Sequence, residues 1–410
     1  MKKIIIGAAV AATILAGCTK NEVRVDVPDS AISFQTIVGK NSTKALVEDA
    51  TYPTTETFGS VAFLLGEGET WETDHASAKV YIGVSDGLAL GALGVEVAYD
   101  EGNKYWTTAT PYYWPKTGSL TFFSFSPYET DFTIDPTNTD GLVIAGWDVH
   151  DQATQPTGTD WNQEKDLMVA TIQTEQTQNG TNDGYQGVPT IFHHILSYIG
   201  GFTIKTDADY TNGHSDGTWT PGDMTFELKN IKINNIYEKG NYKSGLMPYA
   251  SGNTGEGWTI AEGADLADYT WIDTNAGATG KTFNQTKQEI EPYSSFNNGR
   301  DYLLVMPQTF TNNTQNDASI TVEYVVKYYN GDTANGNDGW IDYPVTTTTK
   351  LYDIHKDNGN KWDLNKEIVY NLVISFKGST DPDDPSQQIL WAPSVVEWTD
   401  DPINSGDIVM

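Results

Sequence analysis

The sequence predicts an all-β chain built from two tandem antiparallel β-sandwich domains. Three observations carry that prediction. Apolar residues alternate at period two in many short runs, helical periodicity is hard to find, and turn-forming clusters separate the runs. Ile320, Val322, Tyr324, Val326 and Tyr328 line one strand face, and Ile368, Tyr370, Leu372, Ile374 and Phe376 line another. Leu120-Thr-Phe-Phe-Ser-Phe-Ser is a third run, closed by Pro127. Gly201-Phe-Thr-Ile-Lys and Ile231-Lys-Ile-Asn-Asn-Ile are shorter. A parallel α/β sheet needs long crossovers, commonly helical, and no room is left for them. Aromatic residues make up 12% of the chain, and Thr, Asn and Gly are abundant. That mixture suits short strands joined by polar turns.

The first residues are read as an export signal. Lys2 and Lys3 precede an apolar run from Ile4 to Leu15, too short to span a bilayer. Leu15-Ala16-Gly17-Cys18 is similar to a bacterial lipobox, which makes Cys18 the lipid acceptor and residues 1–17 a signal peptide. Cys18 is the single cysteine in 410 residues, so no disulfide can form within the chain and stability must come from packing. Several acyl chains on one residue would anchor the precursor stably to the outer membrane.

The remaining length suits two domains. The net charge of −31 repels nucleic acid and excludes it as a partner. Charged residues are only 19% of the chain, so it is not a disordered acidic tail. The polar stretch Gln173 to Gly187 reads as an interdomain connection. It divides a first sandwich, 45–186, from a second, 187–410. Thr380-Asp-Pro-Asp-Asp-Pro-Ser reads as a linker before a last strand within 388–398.

Six segments, in order along nearly the whole chain, resemble the fimbrillin family of Gram-negative surface lipoproteins. They are Tyr112-Tyr-Trp-Pro115, Leu120 to Pro127, Lys165-Asp-Leu-Met-Val-Ala170, Phe192-His-His-Ile-Leu-Ser197, Leu304-Val-Met-Pro-Gln308 and Val395-Val-Glu-Trp398. The resemblance implies two transthyretin-like sandwiches and assembly with other fimbrial subunits by strand exchange. It also implies that a trypsin-like protease cuts after a basic residue near the N-terminus, releasing the first strand for replacement by a neighbour's. The matching residues are Ala31 to Val38 followed by Thr43-Lys44-Ala45, which places the cut between Lys44 and Ala45 within the lipidated segment 18–44. Lys44 stands where many relatives carry Arg, and Lys40 is a competing site.

The physics of that segment is independent of the family. Ile32, Phe34 and Val38 share one face, with Thr36 among them. Each apolar side chain contributes roughly 1.5–3 kcal/mol when buried. Withdrawing the strand would leave an apolar slot and unpaired backbone, a template for another strand. The donor candidate is the last strand, where Ile389, Trp391 and Val395 alternate and Pro393 suits an edge. The alternative for each is an ordinary strand that stays in its own sheet.

Other patterns lack the context for chemistry. Gly83-Val-Ser-Asp-Gly87 matches a nucleophile elbow, but the glycines that follow oppose a helix. Asn275 to Thr282 imitates a phosphate loop with Asn at the first glycine position. Neighbours His193 and His194 would face opposite sides of a strand. Asp207 to Gly213 has its glycine one place late for a calcium loop. No catalytic residue, metal site or cofactor is expected. Trp71, Trp106, Trp219, Trp258 and Trp340 sit among polar neighbours and could stack on sugars. They support the rival reading, a surface glycan-binding lipoprotein without catalysis. A host or bacterial surface receptor is the remaining partner class.

Overall fold

A computed structural model describes residues 31–38, 52–85, 92–129, 132–137, 139–149, 166–178, 187–214, 217–247, 256–293, 302–313, 317–376 and 387–397. The first strands in chain order are β1 (Phe34–Val38), β2 (Phe58–Leu65), β3 (Lys79–Ile82), β4 (Val84–Ser85), β5 (Ala92–Leu93), β6 (Val95–Asp100), β7 (Tyr105–Thr108), β8 (Ser119–Ser126) and β9 (Thr133–Asp135). Then come β10 (Gly141–Asp148), β11 (Met168–Ala170), β12 (Gln173–Gln176), β13 (Val188–His194), β14 (Ser197–Thr206), β15 (Met224–Tyr237), β16 (Lys239–Lys243), β17 (Gly257–Ile260) and β18 (Leu266–Asp273). The last are β19 (Lys281–Phe283), β20 (Gln288–Ile290), β21 (Leu303–Val305), β22 (Gln308–Thr309), β23 (Ser319–Tyr329), β24 (Trp340–Lys350), β25 (Lys361–Trp362), β26 (Lys366–Phe376) and β27 (Gln387–Glu397). The chain is all-β, as the alternation requires.

Hydrogen-bonded neighbours run from β8 through β11, β13, β1, β7, β6 and β2, and β2 pairs again with β8. The path therefore closes on itself, and closure removes free edges. Its interior holds Phe34, Phe58, Trp106, Leu120, Phe122, Val188 and Phe192. The outer faces of β2 and β8 are buried too. Val61, Phe63, Phe123 and Phe125 pack with Ile134, Leu142, Ile144 and Tyr242 of a second sheet, ordered β17-β16-β10-β9-β5-β4. This double burial explains the aromatic run at Leu120: its alternate residues enter two different cores.

The second unit is a sandwich. One sheet is ordered β20-β14-β26-β27, with β21 also on β14; the other is ordered β18-β15-β23-β24, with β19 also on β15. Ile199, Phe202, Ile204, Ile368, Tyr370 and Leu372 from the first sheet meet Phe226, Leu228, Ile231, Ile320, Val322 and Tyr324 from the second.

Among the described strands, two ladders depart from an all-antiparallel plan. β1 lies parallel to β13, and β14 lies parallel to β26. Strands far apart in sequence can meet in parallel because the intervening chain supplies the long crossover. The expected division at 186 and 187 does not coincide with a sheet boundary. β13 lies beyond it yet pairs with β1 and β11, and hairpin β16–β17 pairs back onto β10. Gln173–Gln176, expected as part of a connection, is strand β12 on β8. The linker 380–386 lies outside the described residues.

A buried polar cluster ties β26 to β25 and to the turn after β24. The Trp362 indole N–H and the Tyr370 hydroxyl meet at 2.9 Å, and that hydroxyl lies 2.9 Å from His355 Nε2. His355 Nδ1 is buried with no partner among the described residues. Burial holds the imidazole at about 4, against 6.5 in an open chain. Below pH 6.5 the unfolded chain takes up a proton that the folded chain refuses. The stability contribution is therefore full above that pH and is lost as pH falls toward about 4, by roughly 3 kcal/mol in all. Urea melts at about pH 7 and about pH 4.5 should show His355→Gln losing distinctly less stability on acidification than the parent. Equal losses would show that this imidazole does not govern the acid response.

Candidate functional site

The candidate site is the slot that β1 occupies. It sits inside the closed path, not on a margin. Phe34 to Val38 pair with Val188 to Phe192 on one side, and Phe34 pairs with Trp106 on the other. Just before the strand, Ile32 N–H donates to Tyr112 O at 2.8 Å and Ala31 bridges to Tyr113. Val188 N–H donates to Ser33 O at 2.8 Å. That approach needs Gly187, whose φ is +140°, because a Cβ there would lie 2.9 Å from Ser33 O.

The expected apolar face is there in part. Ile32 and Phe34 are each only 2% exposed, and Thr36 is half-buried. Val38 takes its place in the ladder opposite Phe192, but its side chain lies outside the described residues. Phe34 meets Phe58 and Phe122 edge-on, with ring centroids 5.6 and 5.9 Å away. Edge-to-face contacts of this kind add to the gain from burial. Behind them Tyr52 stacks on Phe192 at 5.0 Å and meets Trp106 at 5.2 Å. Its hydroxyl donates to Thr57 O at 3.0 Å and lies 2.7 Å from Ser126 Oγ. Burial pushes the Tyr52 phenol up to about 12.

Tyr52, Phe58, Trp106 and Phe192 were not singled out as slot residues in the sequence. Phe192 appears there only in a family-like segment, and Trp106 only as a polar-flanked aromatic. They come from four separate strands and loops, so no local spacing connects them. Gly187 carried one usable signal, a glycine immediately before an apolar run.

The candidate donor is β27, which pairs antiparallel with β26 over its whole length, from Gln387 opposite Phe376 to Glu397 opposite Lys366. Ile389, Trp391 and Val395 stand opposite Ile374, Leu372 and Ile368, and their side chains lie outside the described residues. Among the described residues β27 ends its sheet, with β26 as its one ladder partner. Cys18, Lys44 and Ala45 also lie outside the described residues.

The other patterns resolve into ordinary structure. Val84 and Ser85 of the elbow-like pattern pair antiparallel with Leu93 and Ala92, and Asp86 and Gly87 lie outside the described residues. Lys281 begins strand β19 and its ammonium donates to Glu289 O. His193 Nε2 lies 3.1 Å from Glu256, while His194 Nδ1 reaches Asp166 at 2.8 Å, so the two histidines have separate partners. Asp209 turns its carboxylate to Thr211, at 2.9 Å from the amide and 2.7 Å from the hydroxyl. Among the described residues, no group of three or more His, Cys, Asp or Glu could hold a metal ion. Trp71 and Trp106 are buried, and the Trp258 indole donates to Ile195 O at 2.6 Å.

Comparison with known proteins bears on this arrangement. No curated protein matches the chain. A solved fimbrial protein from Bacteroides vulgatus is 16% identical, with a TM-score of 0.54, covering 90% of this chain and all (100%) of that one. At that identity the likeness speaks to the fold alone. Putative cell adhesion proteins from Bacteroides uniformis and Parabacteroides distasonis are 15% and 13% identical, with TM-scores of 0.40 and 0.43. They cover 91% and 90% of this chain, and it spans 100% and 96% of theirs. The family model described as fimbrillin-like matches residues 67–382, a span that begins after β1 and ends before β27. By that match over most of its length, the chain belongs to the fimbrillin-like family.

Proposed function

We propose that this protein is a structural and adhesive subunit of bacterial surface fimbriae that polymerises by strand exchange. Residues 1–17 export the chain, and lipid on Cys18 tethers the precursor to the outer membrane. A protease cuts between Lys44 and Ala45, and β1 leaves. The C-terminal strand of the next subunit, carrying Ile389, Trp391 and Val395, then enters the slot. Each of the two units is of the transthyretin-like type. Assembly of this kind requires no catalytic residue and no cofactor.

One observation carries the proposal: β1, the first strand of the described chain, is a single member of a closed path and lies between β13 and β7. Taking it out would leave β13 and β7 with unpaired backbone on facing edges. It would also uncover Phe58, Phe122 and Val188. Both the hydrogen bonds and the apolar area invite an extended segment with alternating side chains. β27 has the required form: among the described residues it is an edge strand of eleven residues whose ladder partner is β26. Pro393 within it has no N–H to donate, which suits a strand that changes partners at an edge.

Mass spectrometry of filaments sheared from cells should find mature chains that begin near Ala45, while unassembled precursor retains lipidated Cys18. Filaments composed only of lipid-bearing chains would refute processing. Trp391→Asp or Val395→Asp should abolish polymerisation and leave soluble monomer; normal filaments from both variants would exclude β27 as donor. Phe34→Ala should destabilise the unprocessed chain by about 3–5 kcal/mol in denaturant melts. The same change should leave finished filaments unaffected, because the altered strand is no longer in them. Filaments weakened by Phe34→Ala would place β1 in the assembled subunit.

A further inference from the structure

Five tryptophans with polar neighbours suggested sugar binding, and the structure separates them. Three serve packing, while Trp219 and Trp340, far apart in sequence, come together. Their rings lie 5.0 Å apart at 76°, and Tyr329 meets Trp340 at 5.1 Å and 57°. All three rings are partly exposed. They sit where β14 has run from Ser197 to its far end at Thr206, away from β13, and where β23 turns into β24.

Two loops are built to hold this cluster. Gly222 N–H donates to Tyr329 O at 2.9 Å and Tyr329 N–H to Asp223 O at 2.8 Å, which ties the loop after β14 to the β23–β24 turn. Asn330 N–H closes that turn onto Gly339 O at 2.9 Å. Asp338 accepts from Trp340 N–H at 3.0 Å. Gly339, at φ +83°, lies against the Tyr329 ring; a Cβ would come within 2.5 Å of it.

The cluster has the marks of a surface that meets a ligand. Neither Trp219 nor Trp340 belongs to the sandwich core or packs against it. The indoles of Trp71, Trp258, Trp271 and Trp362 each donate to a protein oxygen. Among the described residues the indole N–H groups of Trp219 and Trp340 have no such acceptor. A partly exposed aromatic pair outside the core, whose indole donors are not taken up by an acceptor among the described residues, suits a ligand that is apolar on one face and hydroxylated at its rim. Exposed Thr218, Asn330, Asn337 and Asp338 supply hydroxyl, amide and carboxylate groups around it. With a net charge of −31 on the chain, polyanions are repelled.

We infer that Trp219, Trp340 and Tyr329 form a binding site for neutral oligosaccharides, in which the C–H face of a pyranose ring stacks on an indole. The site is independent of strand exchange, so an unassembled chain already carries it.

The full exported chain should be applied to an array of neutral oligosaccharides alongside sialylated and sulfated ones. Retention is expected on neutral glycans. Trp219→Ala and Trp340→Ala should each raise the dissociation constant roughly ten-fold or more, in line with loss of a stacking partner. Ile260→Ala, which removes an exposed apolar side chain from β17, should bind as the parent does. Trp219 lies in a loop, so its variant serves if Trp340→Ala unfolds, and near-ultraviolet circular dichroism reports folding in both. Binding to no neutral glycan, binding to anionic glycans alone, or unchanged binding by both tryptophan variants would overturn the site. So would self-association of the chain that Trp219→Ala abolishes in the absence of sugar.

Discussion

The contact between Phe34 and the rings of Phe58 and Phe122 is the interaction on which the first unit depends. A closed hydrogen-bonded path has no margin to absorb a missing member. With β1 present, β13 and β7 are both paired and the aromatic interior is buried. Without it the same residues become two edges and an open apolar slot. Closure therefore makes one short segment decisive, although its five-residue ladder is modest beside the long pairings of β15, β23 and β26.

The two units are also coupled. β2 and β8 are covered on both faces, and their outer cover includes Tyr242 of hairpin β16–β17, which lies in the sequence beyond the first sandwich strands. The hairpin carries Glu256 beside it, and Glu256 meets both Tyr242 and His193. Desolvation within that contact, together with the Glu256 charge, pushes the Tyr242 phenol well above its ordinary range. His193 lies on β13, the lateral neighbour of β1. The wall of the slot is thus braced from outside by residues of the later chain.

Much of this was legible in the sequence. Period-two alternation located β8, β14, β15, β23 and β26, because a pleated strand with one buried face has no other pattern available. Ile32 and Phe34 were readable as buried for the same reason. The parallel neighbours of β1 and β14 were not readable, since pairing between distant strands leaves no mark in local spacing. Tyr52 was invisible because it belongs to no strand and reaches the interior from a connection. The Trp219–Trp340 pair was half legible: composition singled out both residues, but only the meeting of two loops distinguishes them from Trp71, whose equally polar neighbours conceal a ring that is 1% exposed. The sheets do not divide at residue 187 itself, because a polar stretch records exposure, not which sheet the next strand will join.

The parallel register between β1 and β13 also bears on how the molecule matures. Phe34 emerges early from any machine that threads the chain from its N-terminus, but Val188, its ladder partner, emerges much later. Contacts of such long sequence separation form slowly. The earliest strand is therefore among the last to settle, and until then its neighbours wait with vacant backbone. A newly made molecule thus passes through an open state of its own, and intramolecular capture of β1 by β13 is what ends that interval.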